Sequence, residues 1–240
     1  MSIHSLDVYI DSVEDLGNNI RKIFLGSETD IPEYKSGQYL EIVLPDGKKC
    51  PFSIANAPGM SSLLELHVRP TPGSEYSEVI EELINNRSRL HIQMPMGDCF
   101  LDHLPQRNLI FVAASTGVTQ IKCFIEYLAN RNYKGDLYFY WGVLTPDDLY
   151  LDSNCSHWEK FLPGFKYIPV VSEEKFSDWS GRKGLVGAAV LEDFMDMSDV
   201  EIFISGSPAM VYHTMDKFLE RGLPEDRIYS DVFSYAPRAR

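Results

Sequence analysis

The residues best suited to chemistry lie in two short segments, Gly37-Gln38-Tyr39 and Pro51-Phe52-Ser53. A strand that ends in a proline, an aromatic residue and a serine can place backbone groups and a hydroxyl along the edge of a flat ring. A flavin requires this kind of edge, with a hydrogen-bond donor near its N5 atom and one face open. Taken alone, the second segment is also explained as an ordinary strand that begins with a proline. Both interpretations stay open on this segment by itself.

Two turns rich in small residues each follow an apolar strand and precede a helix. They read Ala113-Ala114-Ser115-Thr116-Gly117 and Ile204-Ser205-Gly206-Ser207-Pro208. Small side chains let backbone amides approach a phosphate or a ring, and the helix dipole favours an anion. Neither turn matches the G-x-G-x-x-G pattern, so tight packing between strand and helix would also explain either of them.

The chain up to about residue 100 alternates between apolar and polar positions, as β-strands with one buried face do. One amphipathic helix is predicted between Tyr76 and Asn86. Several short strands with one helical interruption predict a small antiparallel β-barrel. The alternating apolar positions are Leu6, Val8 and Ile10, then Leu40, Ile42 and Leu44, then Leu64, Leu66 and Val68, and finally Leu90, Ile92 and Met94.

After about Arg107 the pattern changes to nearly continuous apolar strands separated by helices, which is typical of a buried parallel sheet. Strands are predicted at 108–113, 137–141, 167–171 and 201–205. The last helix has Ser207 as its N-cap, Pro208 in its first turn and Gly222 just beyond its end. This order predicts a nucleotide-binding α/β domain. The predicted domains are 1–104 and 105–240.

Composition excludes several classes of partner and site. With 35 acidic and 22 basic residues the net charge is −13, and no basic stripe of the kind that binds nucleic acid is present. No apolar run reaches the length of a membrane span, and the N-terminus lacks the pattern of a signal peptide. The cysteines are widely spaced, which argues against a metal site or a disulfide framework. The histidines, which include His67, have no metal-ligand spacing and are interpreted as surface or strand-face residues. A cytoplasmic protein without a bound metal is expected.

Taken in order along the chain, the motifs resemble those of the ferredoxin–NADP reductase superfamily, and most of all its stand-alone NAD(P)H:flavin reductases, including those serving bacterial luciferase. The resemblance covers essentially the entire chain. It implies an N-terminal flavin barrel, a C-terminal nicotinamide domain, and hydride transfer from NADH or NADPH to FMN, FAD or riboflavin in the cleft between them. The motifs are Gly37-Gln38-Tyr39, Pro51-Phe52-Ser53, Gly73-Ser74-Glu75-Tyr76-Ser77, Met94-Pro95-Met96-Gly97, Ser115-Thr116-Gly117, Tyr140-Trp141-Gly142, Ser205-Gly206-Ser207-Pro208 and Tyr229-Ser230-Asp231-Val232-Phe233.

The resemblance also implies roles for individual residues. Ser53 aligns with a serine that faces flavin N5, and Asp231 aligns with an acidic residue near the reacting rings; together with Thr116 they are the expected catalytic residues. The remaining residues are expected to bind cofactor. Flavin is assigned to Tyr39, Pro51, Phe52 and Ser53, flavin phosphate to Arg69, Gly73 and Ser77, and the dinucleotide to Ser115, Thr116, Gly117, Gly142, Ser205, Gly206, Ser207 and Pro208.

The sequence departs from the family pattern at three positions. Cys50 stands where many relatives have an arginine that holds flavin phosphate, with Lys48 and Lys49 just upstream. Ser205 replaces a cysteine, which argues against a catalytic thiol, and Ser115 replaces a glycine. An ordinary helix cap would also explain the turn from Gly73 to Ser77.

Selectivity and partners are less constrained. Glu173 and Glu174 stand where NADP-selective relatives often carry serine and arginine, so NADH is expected to be preferred, with Lys175 and Arg182 close enough to narrow the margin. The leading hypothesis is a reductase that releases reduced flavin to a partner such as a flavin-dependent monooxygenase. The alternatives are a reductase that retains FAD and passes electrons to a separate ferredoxin or oxygenase component, or a flavin-binding electron-relay subunit with little activity of its own.

Overall fold

Alternating apolar residues fold the first part of the chain into an antiparallel sheet, in a computed structural model that describes residues 2–71, 73–173 and 178–238. The strands are β1 His4–Asp15, β2 Arg21–Gly26, β3 Tyr39–Val43, β4 Lys49–Ser53, β5 Leu64–Val68 and β6 Leu90–Met96. They are arranged in the order β4-β3-β6-β1-β2-β5. Beyond the end of β4, the amide of Ala55 donates a hydrogen bond to the carbonyl of Glu65 on β5, at 2.8 Å. Because β4 and β5 are the two edge strands, this bond closes the sheet into the predicted barrel.

One apolar core fills the barrel. The residues that alternate in the sequence point into it, and helix α1, Glu75–Asn85, packs Ile80 and Ile84 against it. Burying side chains of this size contributes about 1.5–3 kcal/mol each, so the alternation predicted from the sequence is also what stabilises the unit. Fully buried members of the core include Val8, Ile23, Leu40, Leu66 and Ile92.

The second part of the chain forms a parallel sheet with helices between its strands, as predicted. Its strands are β7 Asn108–Ala114, β8 Leu137–Val143, β9 Phe165–Val171, β10 Arg182–Lys183, β11 Val200–Ser205 and β12 Ile228–Tyr229. The helices are α2 Val118–Asn130, α3 Asp152–Trp158, α4 Val186–Asp193, α5 Pro208–Glu220 and α6 Val232–Tyr235. The strand order is β10-β9-β8-β7-β11-β12, so the direction of winding reverses between β7 and β11.

Contacts divide the chain into two compact units. The first comprises residues up to Asp102 together with Lys122–Tyr127, the middle of α2, and the second comprises His103–Ile121 and the residues from Leu128 onwards. The domain limits predicted from the sequence, 1–104 and 105–240, stay a prediction. The sequence pattern gave no reason to place part of α2 with the barrel.

Helix α4 was not predicted, and its packing explains why. It is short, and Gly187 lies within it, which weakens any helix on intrinsic propensity. A Cβ atom at Gly187 would lie 2.7 Å from Cγ2 of Thr214, so the glycine lets α4 pack closely on α5. The helix is therefore maintained by tertiary contact rather than by a local pattern.

Within the described ranges, no helix is long and apolar enough to cross a membrane. The same residues contain no group of three or more His, Cys, Asp or Glu side chains placed to hold a metal ion. All of the cysteines, Cys50, Cys99, Cys123 and Cys155, are free thiols.

Candidate functional site

The end of β4 presents the serine on which the flavin hypothesis depends. Ser53 pairs with Tyr39 of β3, and Tyr39 pairs in turn with Met96 of β6. The Tyr39 side chain is buried against Gly97, where an added Cβ would lie 2.8 Å from the tyrosine ring. Ser53 is half-buried, and within the described residues its hydroxyl has no hydrogen-bond partner. The hydroxyl can therefore donate to a bound group at this edge.

The rest of this edge is less enclosed. Phe52 is half-buried and Pro51 is exposed. Since an exposed apolar surface beside an unsatisfied hydroxyl suits a flat ring with a polar edge, the arrangement fits the predicted flavin contacts of Pro51, Phe52 and Ser53, which stay a prediction.

The turn from Gly73 to Ser77 is the predicted phosphate site, and its hydroxyls bind the chain's own amides. Ser74 caps α1 by accepting a hydrogen bond from the Ser77 amide, and the Ser77 hydroxyl accepts one from the amide of Thr71, at 2.9 Å. Glu75 and Glu78 lie in the first helical turn, where their charges already complement the helix dipole. Arg69 is exposed. Phosphate binding by Arg69, Gly73 and Ser77 remains a prediction, and the acidic first turn disfavours it.

The two small-residue turns meet at the place where the winding of the parallel sheet reverses. They follow β7 and β11, which are neighbouring strands in register, with Ala113 opposite Ser205. In open α/β sheets, ligands bind beyond the carboxyl ends of the strands at such a reversal. A Cβ atom on Gly117 would lie only 2.3 Å from the backbone oxygen of Ser205. Gly117 therefore lets the two turns approach more closely than any other residue would allow.

Ser115 holds a strained conformation in the first of these turns. Its φ angle is +51°, in the left-handed region that favours glycine. The indole Nε1 of Trp141, a fully buried residue on β8, donates a hydrogen bond to the Ser115 carbonyl at 2.9 Å. Strain of this kind persists where surrounding structure enforces it, often at functional sites. Thr116 follows, half-buried, and its catalytic role stays a prediction.

The second turn opens α5 in the predicted manner. Ser207 is the N-cap and its side chain accepts from the Met210 amide, while Pro208 occupies the first helical turn. A Cβ at Gly206 would lie 3.2 Å from Cβ of Ala114 in the facing turn, so the two backbones pass close together here as well. The N-terminus of α5 adds a favourable potential for an anion.

A cavity of about 570 Å³ lies in the second unit at the carboxyl ends of β7, β8 and β9. This volume is within the range of small-molecule sites, roughly 300–1,000 Å³. Gly142 lines it, and a Cβ there would lie 2.7 Å from Cβ of Val186, so the glycine also admits α4. The lining is mostly apolar and comprises Ala114, Ser115, Gly142, Val143, Leu144, Ser172, Gly184, Leu185, Val186, Gly187, Ala188, Leu191, Ala209, Met210, His213, Thr214 and Lys217.

Asp231 is a buried carboxyl group at the start of α6. Burial raises its pKa from 3.8 to about 6, although the neighbouring amide of Val232 partly offsets the effect. Among the described residues, no basic side chain forms an ion pair with it. A carboxyl that is costly to ionise, and is not used to neutralise a cation, is a candidate for a functional role.

We expect Asp231→Asn to stabilise the fold while lowering turnover. A carboxyl whose folded pKa is raised favours folding below pH 3.8 and loses that contribution as the pH rises through 6. The wild type therefore carries a free-energy penalty above pH 6 that the amide lacks, roughly 3 kcal/mol for a shift of this size. Urea unfolding at pH 4.5 and pH 8 should show the gain mainly at pH 8. The control is Asp226→Asn, at an exposed carboxylate nearby in sequence, which should change neither the unfolding free energy nor the turnover. If Asp231→Asn instead loses much stability and keeps its turnover, Asp231 has a structural role.

Sequence reasoning missed three features of these regions. The hydrogen bond from Trp141 to the Ser115 turn and the cavity lining from α4 both depend on contacts between distant segments. The third is a buried group of charged side chains around Lys122. His67 belongs to this group and its side chain is fully buried on β5, so of the two predicted positions, surface or strand face, it has the second. Only Gly142, directly after Trp141, signalled a close approach of backbone at the cavity.

Comparison with known proteins identifies the class to which this architecture belongs. Residues 111–216 match the family described as the oxidoreductase NAD-binding domain. A probable flavin reductase of Photobacterium leiognathi is 34% identical over 230 residues, covering 94% of this chain and 97% of that protein. The CDP-6-deoxy-L-threo-D-glycero-4-hexulose-3-dehydrase reductase of Yersinia pestis is 34% identical over 227 residues, 93% of this chain and 67% of that protein.

Among solved structures, the Amycolatopsis cytochrome P450 reductase GcoB superposes with a TM-score of 0.86 at 26% identity, over 95% of this chain and 69% of that one. The chain belongs to the ferredoxin–NADP reductase superfamily of oxidoreductases. The family resemblance of the sequence motifs is thereby confirmed.

Proposed function

We propose that this chain is an NAD(P)H-dependent flavin reductase, which transfers a hydride from a nicotinamide dinucleotide to FMN, FAD or riboflavin. The observation that carries the proposal is the pair of small-residue turns at the sheet reversal, packed so tightly that Gly117 has no room for a Cβ. The name of the Photobacterium leiognathi relative, which is similar over nearly its whole length, supports the same activity.

The dinucleotide fits the second unit on structural grounds. Ser115, Gly117 and Gly206 leave backbone exposed beside the N-terminus of α5, where a pyrophosphate is favoured. The mostly apolar cavity next to them has the volume to enclose a flat base. Ser205, Ser207 and Pro208 complete the turn, and Gly142 lets α4 pack against β8 beside the cavity.

The flavin fits the first unit through the end of β4. Ser53 would donate a hydrogen bond to the ring edge, with Tyr39 and Phe52 flanking it. When both are bound, the reduced nicotinamide supplies the hydride and the flavin accepts it. The hydroxyl of Ser53 stabilises negative charge at the edge it contacts, and Asp231, with a pKa of about 6, can hold or release a proton near neutral pH. Thr116 would position the dinucleotide in the strained turn.

The deciding experiment is a visible spectrum of the purified protein before and after desalting, followed by an assay for NADH oxidation with added FMN, FAD or riboflavin. We expect oxidation that depends on added flavin. If NADH is not oxidised with any of the three flavins, and no flavin binds, the proposed function is wrong.

We expect a specificity constant for NADH about tenfold above that for NADPH. Binding a 2′-phosphate usually requires a free Arg or Lys, and a missing charge-assisted contact costs about 1.5–3 kcal/mol. Glu173 directly follows Ser172 of the cavity lining. Arg182, the nearby cation, is engaged in ion pairs with Glu192 and Asp193.

Steady-state kinetics with both dinucleotides measures this preference. Glu173→Ser should lower the ratio of the NADH to the NADPH specificity constant. Glu159→Ser, at an exposed carboxylate after α3, is the control and should leave this ratio unchanged. A higher specificity constant for NADPH in the wild type would contradict the expectation. Glu174 and Lys175, which also entered the sequence prediction, lie outside the described residues.

We expect FMN and FAD to bind better than riboflavin, because the phosphate contacts predicted for Arg69, Gly73 and Ser77 would still add affinity, but to wash out largely during gel filtration. Cys50 replaces the expected phosphate-binding arginine, and the lysines beside it are engaged elsewhere. Lys48 lies 3.4 Å from Asp46 and stacks 4.6 Å from the Tyr76 ring centroid, and Lys49 lies 3.3 Å from Glu41. Losing a charge-assisted contact weakens binding by about tenfold or more.

Titration of flavin-free protein with the three flavins tests the ranking, and the absorbance of the eluted protein tests retention. Cys50→Arg should strengthen FMN binding and leave riboflavin affinity unchanged. Lys48→Arg, which keeps the charge at a neighbouring position, is the control and should change neither affinity. Stoichiometric FAD after the column would favour the alternative below.

The alternative is a reductase that keeps its flavin and passes electrons to another protein. Its support is that relatives named as a dehydrase reductase and a cytochrome P450 reductase are similar over most of this chain, although the chain spans only 67% and 69% of their lengths. Retained FAD together with slow reduction of free FMN would favour this alternative.

The free thiols are the state that a reducing compartment maintains, and we place the protein in the cytoplasm on that basis.

A further inference from the structure

A group of buried charged side chains surrounds Lys122 in the first unit. The Lys122 side chain is 7% exposed, and its Nζ lies 2.9 Å from Oε2 of Glu65 and 2.8 Å from Oε1 of Glu126. The other oxygen of Glu65 lies 2.8 Å from Nε2 of His67, whose side chain is fully buried. One cation thus stands between two carboxylates, and neither the proposed chemistry nor the apolar core uses it.

The ionisation of the group is set by its surroundings. Burial lowers the pKa of His67, so the ring is neutral, and its Nε2–H donates a hydrogen bond to the Glu65 carboxylate. Burial alone would raise the pKa of Glu65, but the His67 hydrogen bond and the Lys122 charge hold it at about 2. Burial alone would lower the pKa of Lys122, yet Glu126 and Glu65 raise it. Lys122 and Glu65 are therefore both charged at neutral pH.

The group binds the backbone of the residues that directly follow the strand end. Lys122 Nζ donates to the carbonyl of Ala55 at 3.4 Å, and a carboxylate oxygen of Glu126 accepts from the amide of Ala57 at 3.3 Å. Between them, the Asn56 side chain accepts from the Glu65 amide at 2.8 Å. The charged side chains thus contact the backbone of Ala55 and Ala57, and the Asn56 side chain between them is held by the backbone amide of Glu65.

Most connecting segments are solvated and mobile, and burying charges to hold one is unfavourable unless they are well paired. Apolar residues of similar size would stabilise a fold at least as well. What a charged network provides is one defined backbone path. Functional groups require such support, since a displacement of about 1 Å at a reacting group can cost about 100-fold in rate.

We propose that Lys122, through Glu65 and Glu126, is a positioning residue that fixes Ala55–Ala57 and thereby the Ser53 hydroxyl at the flavin edge. The inference rests on the proposed function. In this role Lys122 acts through the backbone that follows β4, two residues beyond Ser53.

The test is riboflavin binding, measured by quenching of riboflavin fluorescence, because riboflavin lacks a phosphate and reports on the ring contacts alone. Lys122→Met should raise the Kd for riboflavin by at least about tenfold and lower kcat at saturating flavin. Lys160→Met, at an exposed lysine after α3, should leave both unchanged.

Glu126 provides a second pair of variants in case Lys122→Met does not fold. Glu126→Gln keeps an oxygen that can accept from the Ala57 amide, and Glu126→Ala does not. We expect the glutamine variant to bind riboflavin within about threefold of wild type and the alanine variant to lose at least about tenfold.

The outcomes separate the inference from the function on which it rests. A riboflavin Kd within about twofold of wild type in Lys122→Met and Glu126→Ala, with only the thermal midpoint lowered, would make the group structural and overturn the inference alone. Equal losses in Glu126→Gln and Glu126→Ala would also overturn it, because the hydrogen bond to Ala57 would then not matter. Wild-type protein that neither binds nor reduces flavin would overturn the proposed function and the inference with it.

Discussion

Replacing Ser53 by alanine is expected to lower the rate of flavin reduction at least about tenfold while the fold survives. Removing one preorganised donor from the place where negative charge develops typically costs about 2.7–4 kcal/mol. Ser53 is half-buried at the end of β4, and its hydroxyl has no partner among the residues that the structure describes. Among the described residues, the variant therefore leaves no buried group without its hydrogen-bond partner, and its unfolding free energy should be nearly unchanged.

Single-turnover reduction of bound flavin by NADH is the appropriate measurement, because it separates the hydride step from flavin release. Ser62→Ala, at an exposed serine of the same unit, is the matched control. Ser53→Thr restores a hydroxyl and should recover part of the rate. If the alanine variant reduces flavin within about twofold of wild type, Ser53 does not contact the ring edge as proposed.

Gly117→Ala should both destabilise the protein and impair dinucleotide binding. The added Cβ would lie 2.3 Å from the backbone oxygen and 2.7 Å from the backbone carbon of Ser205. Neither atom belongs to a flexible side chain, so one of the two turns must move. Overpacking of this kind costs up to about 3 kcal/mol, and the displaced turn should weaken NADH binding by at least about tenfold.

Urea unfolding and NADH titration check the two effects separately. Gly222→Ala is the control, because it has no atom within 4 Å of the added Cβ but a φ angle of +92°. It should lose stability through backbone strain alone and bind NADH normally. Normal NADH affinity in a destabilised Gly117→Ala protein would remove the turns from the proposed dinucleotide site.

The parts of the fold predicted correctly are those governed by local rules. The last long helix was predicted from Pro208 to Arg221 and is found at Pro208–Glu220. Its N-cap serine, first-turn proline and terminal glycine act within a few residues of one another. The continuous apolar run before Ala114 likewise indicated a strand buried on both faces, and β7 lies inside the parallel sheet.

Features that depend on distant contacts were not predicted. Lys122 and Glu65 are 57 residues apart in the chain. Each is of a residue type that is usually exposed, and only the fold brings the two together in a buried place. His67 alternates with apolar neighbours on β5, so its position fits an outward face; in the structure all five residues of that strand are buried.

By itself, the sequence determined the fold class, the order of the motifs and the residue types available for chemistry, because periodicity and capping act over a few residues. Only the tertiary structure decided that Gly117 approaches Ser205, that Trp141 holds the Ser115 turn and that Lys122 is buried between two carboxylates. Those outcomes depend on which segments pack together, and the energy of a charge depends on its partners and its depth rather than on its neighbours in the chain.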